Sequence, residues 1–227
     1  MTTVHDLRRV DDDAFRRLLD RNAIWKRMVT VGDRLPIQPV YEVDLGPIHL
    51  DRLLDTGPLV LVFIRYAGSP WCEDLLRSYA TGLEPALTAL GAHLVAVSPQ
   101  APGRLAALKH RDGLPFLVAS DPRHVLVDAL RIGFSSPGAD KPLGTGRSVL
   151  PFASVVVADR SGLVRFADVR PNWLDPLPAA RVVEAVRALG GDAGRTFGGE
   201  AVRAPGSGAV RAPGSGAVRA PGGASTS

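Results

Sequence analysis

Apolar runs no longer than a β-strand alternate along this chain with stretches of helical period, and that alternation limits the fold more than any other feature. Leu59 to Arg65 is a continuous apolar run of strand length, which reads as a strand buried on both faces. Ala92 to Ser98 and Phe116 to Ala119 repeat the pattern. Between and after them the spacing predicts helices over 71–90, 103–111 and 178–189, with Gly82 and Pro85 expected to bend or split the first. Asp121-Pro122 is expected to open a further helix to about Ile132, with Asp as cap and Pro in the first turn. After the turn signal Gly32 to Pro36, Val40 to Leu45 reads as a short strand. Asp159-Arg160-Ser161-Gly162 lies between two apolar runs, Val155 to Ala158 and Leu163 to Val169, and predicts a hairpin. Strands separated by helices, with a late hairpin, predict an α/β sandwich carrying a mixed central β-sheet flanked by helices.

The two ends of the chain differ from this middle. Asp11 to Met28 sets Phe15, Leu18, Leu19 and Trp25 at helical spacing behind an aspartate-rich start, so residues 1–28 read as a helical extension with Trp25 as a packing anchor. From Gly190 the composition shifts. Ala201-Val202-Arg203-Ala204-Pro205-Gly206-Ser207-Gly208 recurs from Ala209 and again in part from Ala217. Such a tract lacks the large apolar groups that offset chain entropy, so 190–227 is expected to be a disordered tail behind a domain over 29–189.

Composition removes several classes of function. One cysteine rules out an internal disulfide framework, and His5, His49, His93, His110 and His124 show no zinc-ligand spacing, so neither a metal nor a cofactor is expected. The net charge of +4 raises the question of nucleic acid, but the arginines are scattered among acids, as in Asp11 to Arg17, and form no basic stripe. The start lacks the pattern of a signal peptide and no apolar run has the length of a membrane span, so the expected location is the cytoplasm.

The lone cysteine, Cys72, sits where the apolar strand gives way to a small-residue turn, Ala67-Gly68-Ser69-Pro70, and a helix begins. Unpaired N–H groups and the positive end of the helix dipole favour thiolate there, the nucleophilic form. The competing reading is a small buried hydrophobe. His93, His110 and His124 read as packing or surface residues rather than bases for this thiol.

These segments resemble the peroxiredoxins, in particular the peroxiredoxin-like branch of the alkyl hydroperoxide reductase and thiol-specific antioxidant family. The resemblance covers most of residues 29 to 189. It is carried by Val31-Gly32-Asp33-Arg34-Leu35-Pro36, Gly57 to Phe63, Leu90 to Gln100, and Val155 to Phe166, which is similar to the family's terminal hairpin. It implies a thioredoxin-like fold. The family's Pro-x-x-x-Thr/Ser-x-x-Cys motif keeps its spacing here in Arg65, Ser69 and Cys72. The resemblance implies that Cys72 attacks a hydroperoxide and becomes a sulfenic acid, that Ser69 orients a peroxide oxygen, and that Arg65, in place of the proline, supplies charge or pairs with a carboxylate.

The chain also departs from that pattern. Leu75 stands where the branch carries a second cysteine, so an external thiol, a thioredoxin-type protein or a second subunit's Cys72 would have to reduce the enzyme, and a homodimer is left open. The arginine that peroxiredoxins carry before the penultimate strand falls at Ala153, with Arg147 and Pro151 nearby. Glu73 and Asp74 set two negative charges beside the thiol. Trp71 is expected to cover the thiol, and Trp173 to line the pocket or pack a loop. The leading expectation is a one-cysteine thiol peroxidase. The alternatives are a redox-inactive binding or scaffolding module of the same fold, and a tailoring enzyme that uses Cys72 on a substrate other than peroxide.

Overall fold

All five residues of the apolar run Leu59–Phe63 are buried, and the sheet is built outward from it on both sides. The computed structural model describes residues 26–170 and 178–191, together with the single positions Arg17 and Asp20. The elements are β1 (Pro39–Glu42), β2 (Gly46–His49), α1 (Leu50–Thr56), β3 (Leu59–Phe63), α2 (Pro70–Ala89), β4 (His93–Ser98), α3 (Pro102–Asp112), β5 (Leu117–Ser120), α4 (Val125–Ala129), β6 (Gly133–Ser135), α5 (Asp140–Leu143), β7 (Val149–Pro151), β8 (Ala153–Ala158), β9 (Val164–Arg170) and α6 (Ala179–Gly191). Seven strands form one sheet in the order β2-β1-β5-β4-β3-β8-β9, and β6 and β7 form a separate ribbon.

The sheet is mixed, as the alternation of strands and helices predicts. β3 runs parallel to β4, with Leu59 opposite His93, and antiparallel to β8, with Leu59 opposite Ala158. Successive side chains of a strand point to opposite faces. Val60, Val62 and Ile64 therefore pack with α2, α3 and α6 on one side, while Leu59, Leu61 and Phe63 pack with α1 and α4 on the other. On α2 the buried stripe is Cys72, Leu75, Leu76, Tyr79, Leu83 and Leu87, at three- and four-residue spacing. Each large apolar side chain buried there contributes about 2 kcal/mol.

Two helix expectations are corrected. α2 runs unbroken through Gly82 and Pro85. Pro85 lies on the exposed side, where water can take the carbonyl it leaves unbonded, and the buried leucines on either side hold the helix together. The helix expected from Asp121-Pro122 to Ile132 is only the five residues of α4. Asp121 does cap it, but from further back: its buried carboxylate accepts the N–H groups of Val125, Leu126 and Val127 at 2.7, 2.9 and 3.2 Å, and Pro122 belongs to the intervening turn. Burial raises the pKa of this carboxyl, and the three N–H groups oppose that rise. The sequence reading did not anticipate α1, β2, β6, α5 or β7, elements too short to show a period.

The late hairpin forms as expected. β8 and β9 pair antiparallel, and Asp159 closes the turn by accepting the N–H groups of Ser161 and Leu163 at 2.9 and 3.1 Å, with Gly162 at a φ of 77°. The tail over 190–227 falls outside the described residues except for 190 and 191. The N-terminal helix over 11–28 falls outside except for residues 17, 20 and 26–28.

Candidate active site

β3 ends against the parallel strand β4, with the N–H of Ile64 donating to the Val97 carbonyl at 2.9 Å, and the chain must then turn back over the sheet to start α2. Gly68 takes a φ of 96°, a conformation open to glycine, and Pro70 fills the first helical position, where a missing N–H is harmless. Ser69 is the N-cap, yet its hydroxyl makes no capping bond; its carbonyl accepts the N–H of Glu73 at 3.1 Å. Cys72 is the third residue of the helix. Its side chain is fully buried in the apolar cluster formed with Val62, Ile64, Leu76, Tyr79 and Val155.

The turn is held from outside by Gln100, itself fully buried. Its side-chain oxygen accepts the N–H of Ala67 at 2.8 Å, and its nitrogen donates to the carbonyls of Ala67 at 3.2 Å and Pro142 at 2.8 Å. Ser98 donates to the Arg65 carbonyl at 2.9 Å. Both residues lie in the Leu90–Gln100 segment, whose apolar pattern gave no sign that its polar end anchors the cysteine loop.

The candidate residues are placed unequally. Ser69 and Cys72 share the first turn of α2, whereas Arg65 is half-buried with its guanidinium carbon 5.2 Å from the centre of the Phe134 ring. Trp71 is half-buried against the cluster that holds Cys72. Trp173 lies outside the described residues. Glu73 and Asp74 enter a set of ion pairs. Glu73 accepts the Gly68 N–H at 2.9 Å and pairs with Arg111 at 2.8 Å, and Arg77 bridges Asp74 to Asp112. Cations from α2 and α3 thus offset the two acidic charges beside the thiol.

The histidines are elsewhere engaged. His93 bonds the Thr56 hydroxyl at 2.7 Å at the opposite end of β4 from Val97, and His110 pairs with Asp44 at 2.6 Å on the surface. His124 is buried, with Nε2 2.9 Å from the Val149 carbonyl. Arg147 is held by Asp128 at 2.9 and 3.2 Å and by the Arg123 carbonyl at 3.0 Å, so it does not fill the role of the arginine missing at Ala153.

Between α2 and the β8–β9 hairpin lies a cavity of about 20 Å³, room for about one water. Trp71, Leu75 and Tyr79 form one wall; Ala153, Asp168 and Arg170 line the other. Asp168 receives Nε and a terminal nitrogen of Arg170 at 2.9 and 3.1 Å, a two-pronged ion pair with side chains 11% and 20% exposed. Burial pushes the Tyr79 hydroxyl up to about 12; the charge of Arg170 works against this and that of Asp168 with it. The sequence reading missed this group, although Asp168 and Arg170 stand two apart on a strand and so share a face.

Among the described residues, no group of three His, Cys, Asp or Glu side chains could hold a metal ion, and no helix is long and apolar enough to cross a membrane.

The model of the AhpC/TSA family matches residues 31–167, more than half of the chain. The chain belongs to that family. It is therefore an oxidoreductase of the peroxiredoxin type, a thiol peroxidase in its general class. Among solved structures it is similar to the peroxidoxin BcpB from Mycobacterium tuberculosis, with 18% identity, a TM-score of 0.59, and coverage of 71% of this chain and 98% of that one. A peroxiredoxin-like protein from Aquifex aeolicus matches with 20% identity, a TM-score of 0.58, and coverage of 71% and 88%. The yeast mitochondrial 1-Cys peroxiredoxin matches with 18% identity, a TM-score of 0.57, and coverage of 72% and 77%. These likenesses bear out the thioredoxin-like fold. A comparison with curated proteins gives no match.

Proposed function

We propose that this family member is a one-cysteine peroxidase in which Cys72 reduces hydrogen peroxide or an organic hydroperoxide. The observation that carries the reading is the position of the chain's single thiol in the first turn of α2, beside a serine whose hydroxyl is not spent on capping the helix. The Ser69 hydroxyl is available to orient a peroxide oxygen. Arg65 adds positive charge from the end of β3 and is steadied by Phe134. Because Cys72 is fully buried, a hydroperoxide reaches it when the first turn of α2 opens.

The sulfenic acid formed on Cys72 finds no second cysteine in this chain, so an external thiol completes the cycle: a small thiol, a thioredoxin-type protein or Cys72 of a second copy. The yeast relative was studied for thiol resolution through glutathione and thioredoxin systems, which makes these the first reductants to try. A lone thiol that must be re-reduced belongs in a reducing compartment, and the cytoplasm is the location proposed. The test is peroxide consumption by the full chain with dithiothreitol, glutathione or a thioredoxin system, against Cys72→Ser. Turnover with at least one reductant that vanishes in Cys72→Ser supports the reading. Turnover that survives the substitution overturns it.

A further inference from the structure

Resting on the reading that Cys72 is the reacting thiol, we propose that residues 136–146 form a gate, latched over the cysteine loop, that lifts before a hydroperoxide or a reducing thiol reaches Cys72. The segment is the far end of the β6–β7 ribbon, and the base of that ribbon is fixed. Gly133 pairs with Pro151, the His124 ring meets the Val149 carbonyl at 2.9 Å, and Asp128 holds Arg147 at 2.9 Å. Beyond the base the tip is built on itself. The Ser136 N–H donates to the Ser148 carbonyl at 2.9 Å, and Gly138 and Gly144, with φ of 85° and 68°, turn the chain into and out of α5. Neither β6 nor β7 joins the seven-stranded sheet, so the tip can lift without breaking a strand pairing of that sheet.

The attachment of the tip is local. Three hydrogen bonds reach two adjacent carbonyls at the end of α5: the Gln100 side chain and Arg104 donate to that of Pro142 at 2.8 and 2.9 Å, and the Ala101 N–H donates to that of Leu143 at 2.8 Å. The same Gln100 nitrogen donates to the Ala67 carbonyl at 3.2 Å, and its oxygen accepts the Ala67 N–H at 2.8 Å. One carboxamide, with both of its N–H donors engaged, therefore joins the tip to the cysteine loop. Tyr66, just before Ala67, packs against Ala139, Leu143 and Leu150. Opening the first turn of α2 needs Tyr66 and Ala67 to move, and both are held from the side of the tip while the latch is closed. A segment secured by a few contacts along one edge opens locally, at far lower cost than unfolding the whole. The gate then sets how fast a hydroperoxide enters and how fast a reducing thiol reaches the sulfenic acid, two steps at one buried sulfur.

A cross-link across the latch tests this in the full chain. A methyl built on Gly144 would stand 3.6 Å from the Cβ of Ala101, within the span of a disulfide, about 3.5 to 4.5 Å. Ala101→Cys with Gly144→Cys, once oxidised, closes the latch covalently; Ala101→Ser with Gly144→Ser carries the same backbone strain without the bond. The readout is the rate of Cys72 alkylation by N-ethylmaleimide, followed by peptide mass, since alkylation needs access to the thiol and no peroxide chemistry. The cross-link is expected to slow it about tenfold or more relative to the serine pair, and reduction followed by removal of the reductant to restore it. Arg104→Ala, which removes one exposed bond of the latch, is expected to speed it by about threefold, and carries the test should the cross-link not form. Equal rates with and without the cross-link would overturn the proposal, as would, where no cross-link forms, an unchanged rate in Arg104→Ala. Alkylation that follows the gate, in a protein whose Cys72 reacts with peroxide no faster than a simple thiol, would leave the gate standing and sink the peroxidase reading instead.

Discussion

Gln100 grips both backbone polar groups of Ala67, accepting its N–H at 2.8 Å and donating to its carbonyl at 3.2 Å, across 33 positions of sequence. A single buried carboxamide thereby fixes the loop that delivers Cys72 to the start of α2. Gln100→Ala leaves two backbone groups of the loop and the Pro142 carbonyl without that partner, and is expected to lower stability by about 2 kcal/mol. Urea denaturation measures this.

The charges beside the thiol are predicted to act through the loop rather than as ion pairs. Glu73 accepts the Gly68 N–H and also meets Arg111. Glu73→Ala should lower stability by about 1 kcal/mol through the lost hydrogen bond, while Glu73→Gln, which keeps an acceptor, should not. Arg111 is exposed, and Arg111→Ala should lower stability by less than Glu73→Ala does, since Glu73 keeps the Gly68 N–H and Asp112 keeps Arg77.

A different ion pair should control the response to pH. Glu42 is fully buried at the end of β1 and receives Lys109 of α3 at 2.7 Å, together with the N–H groups of Asp44, Leu45 and Val118. Burial pushes the Glu42 carboxyl up, but Lys109 and the three amides outweigh it, and its pKa ends below the usual 4.5. Burial likewise opposes the charge on Lys109, yet its two carboxylate partners raise it above 10.5. A carboxyl depressed on folding stabilises above its unfolded value and loses that contribution as pH falls through the folded one; a raised lysine stabilises below its unfolded value and loses it as pH rises. The pair should therefore contribute fully between pH 4.5 and 10.5 and fade outside that window. Lys109→Met is expected to destabilise by about 3 kcal/mol at neutral pH, since it strands a buried carboxylate. Urea midpoints of Glu42→Gln and the native protein should converge as pH drops below 4.5.

Gly57 tests the packing of the sheet's outer end. Its backbone is extended, which any residue adopts, but a methyl there would stand 2.0 Å from the Gly91 carbonyl oxygen. That obstacle is backbone and cannot swing aside as a side chain could. Gly57→Ala should lower stability by about 3 kcal/mol or prevent folding, as measured by thermal denaturation.

The parts of the fold that were legible in the sequence are those with a period. The apolar runs that became β3, β4 and β8 and the stripe from Cys72 to Leu87 announced themselves because burial repeats along them. Elements such as β6 and α5, three and four residues long, carry no repeat and were missed. At the site, Ser69 and Cys72 could be read because a helix start has local signals, whereas Gln100 could not, since its role depends on a contact between distant segments. The Asp168–Arg170 pair has a two-residue spacing that the sequence does show, but its place opposite Val155 and Ala153 depends on strand register.

The complete burial of Cys72 makes its reactivity the decisive question. The most direct measurement is stopped-flow tryptophan fluorescence, with Trp71 adjacent to the thiol, of the reduced full chain mixed with hydrogen peroxide or an organic hydroperoxide. Mass detection of one added oxygen and the Cys72→Ser variant accompany it. Rapid oxidation is expected, orders of magnitude above that of a simple thiol, lost in Cys72→Ser and leaving a sulfenic acid on Cys72. Oxidation by both peroxides at the rate of an ordinary free thiol would contradict it.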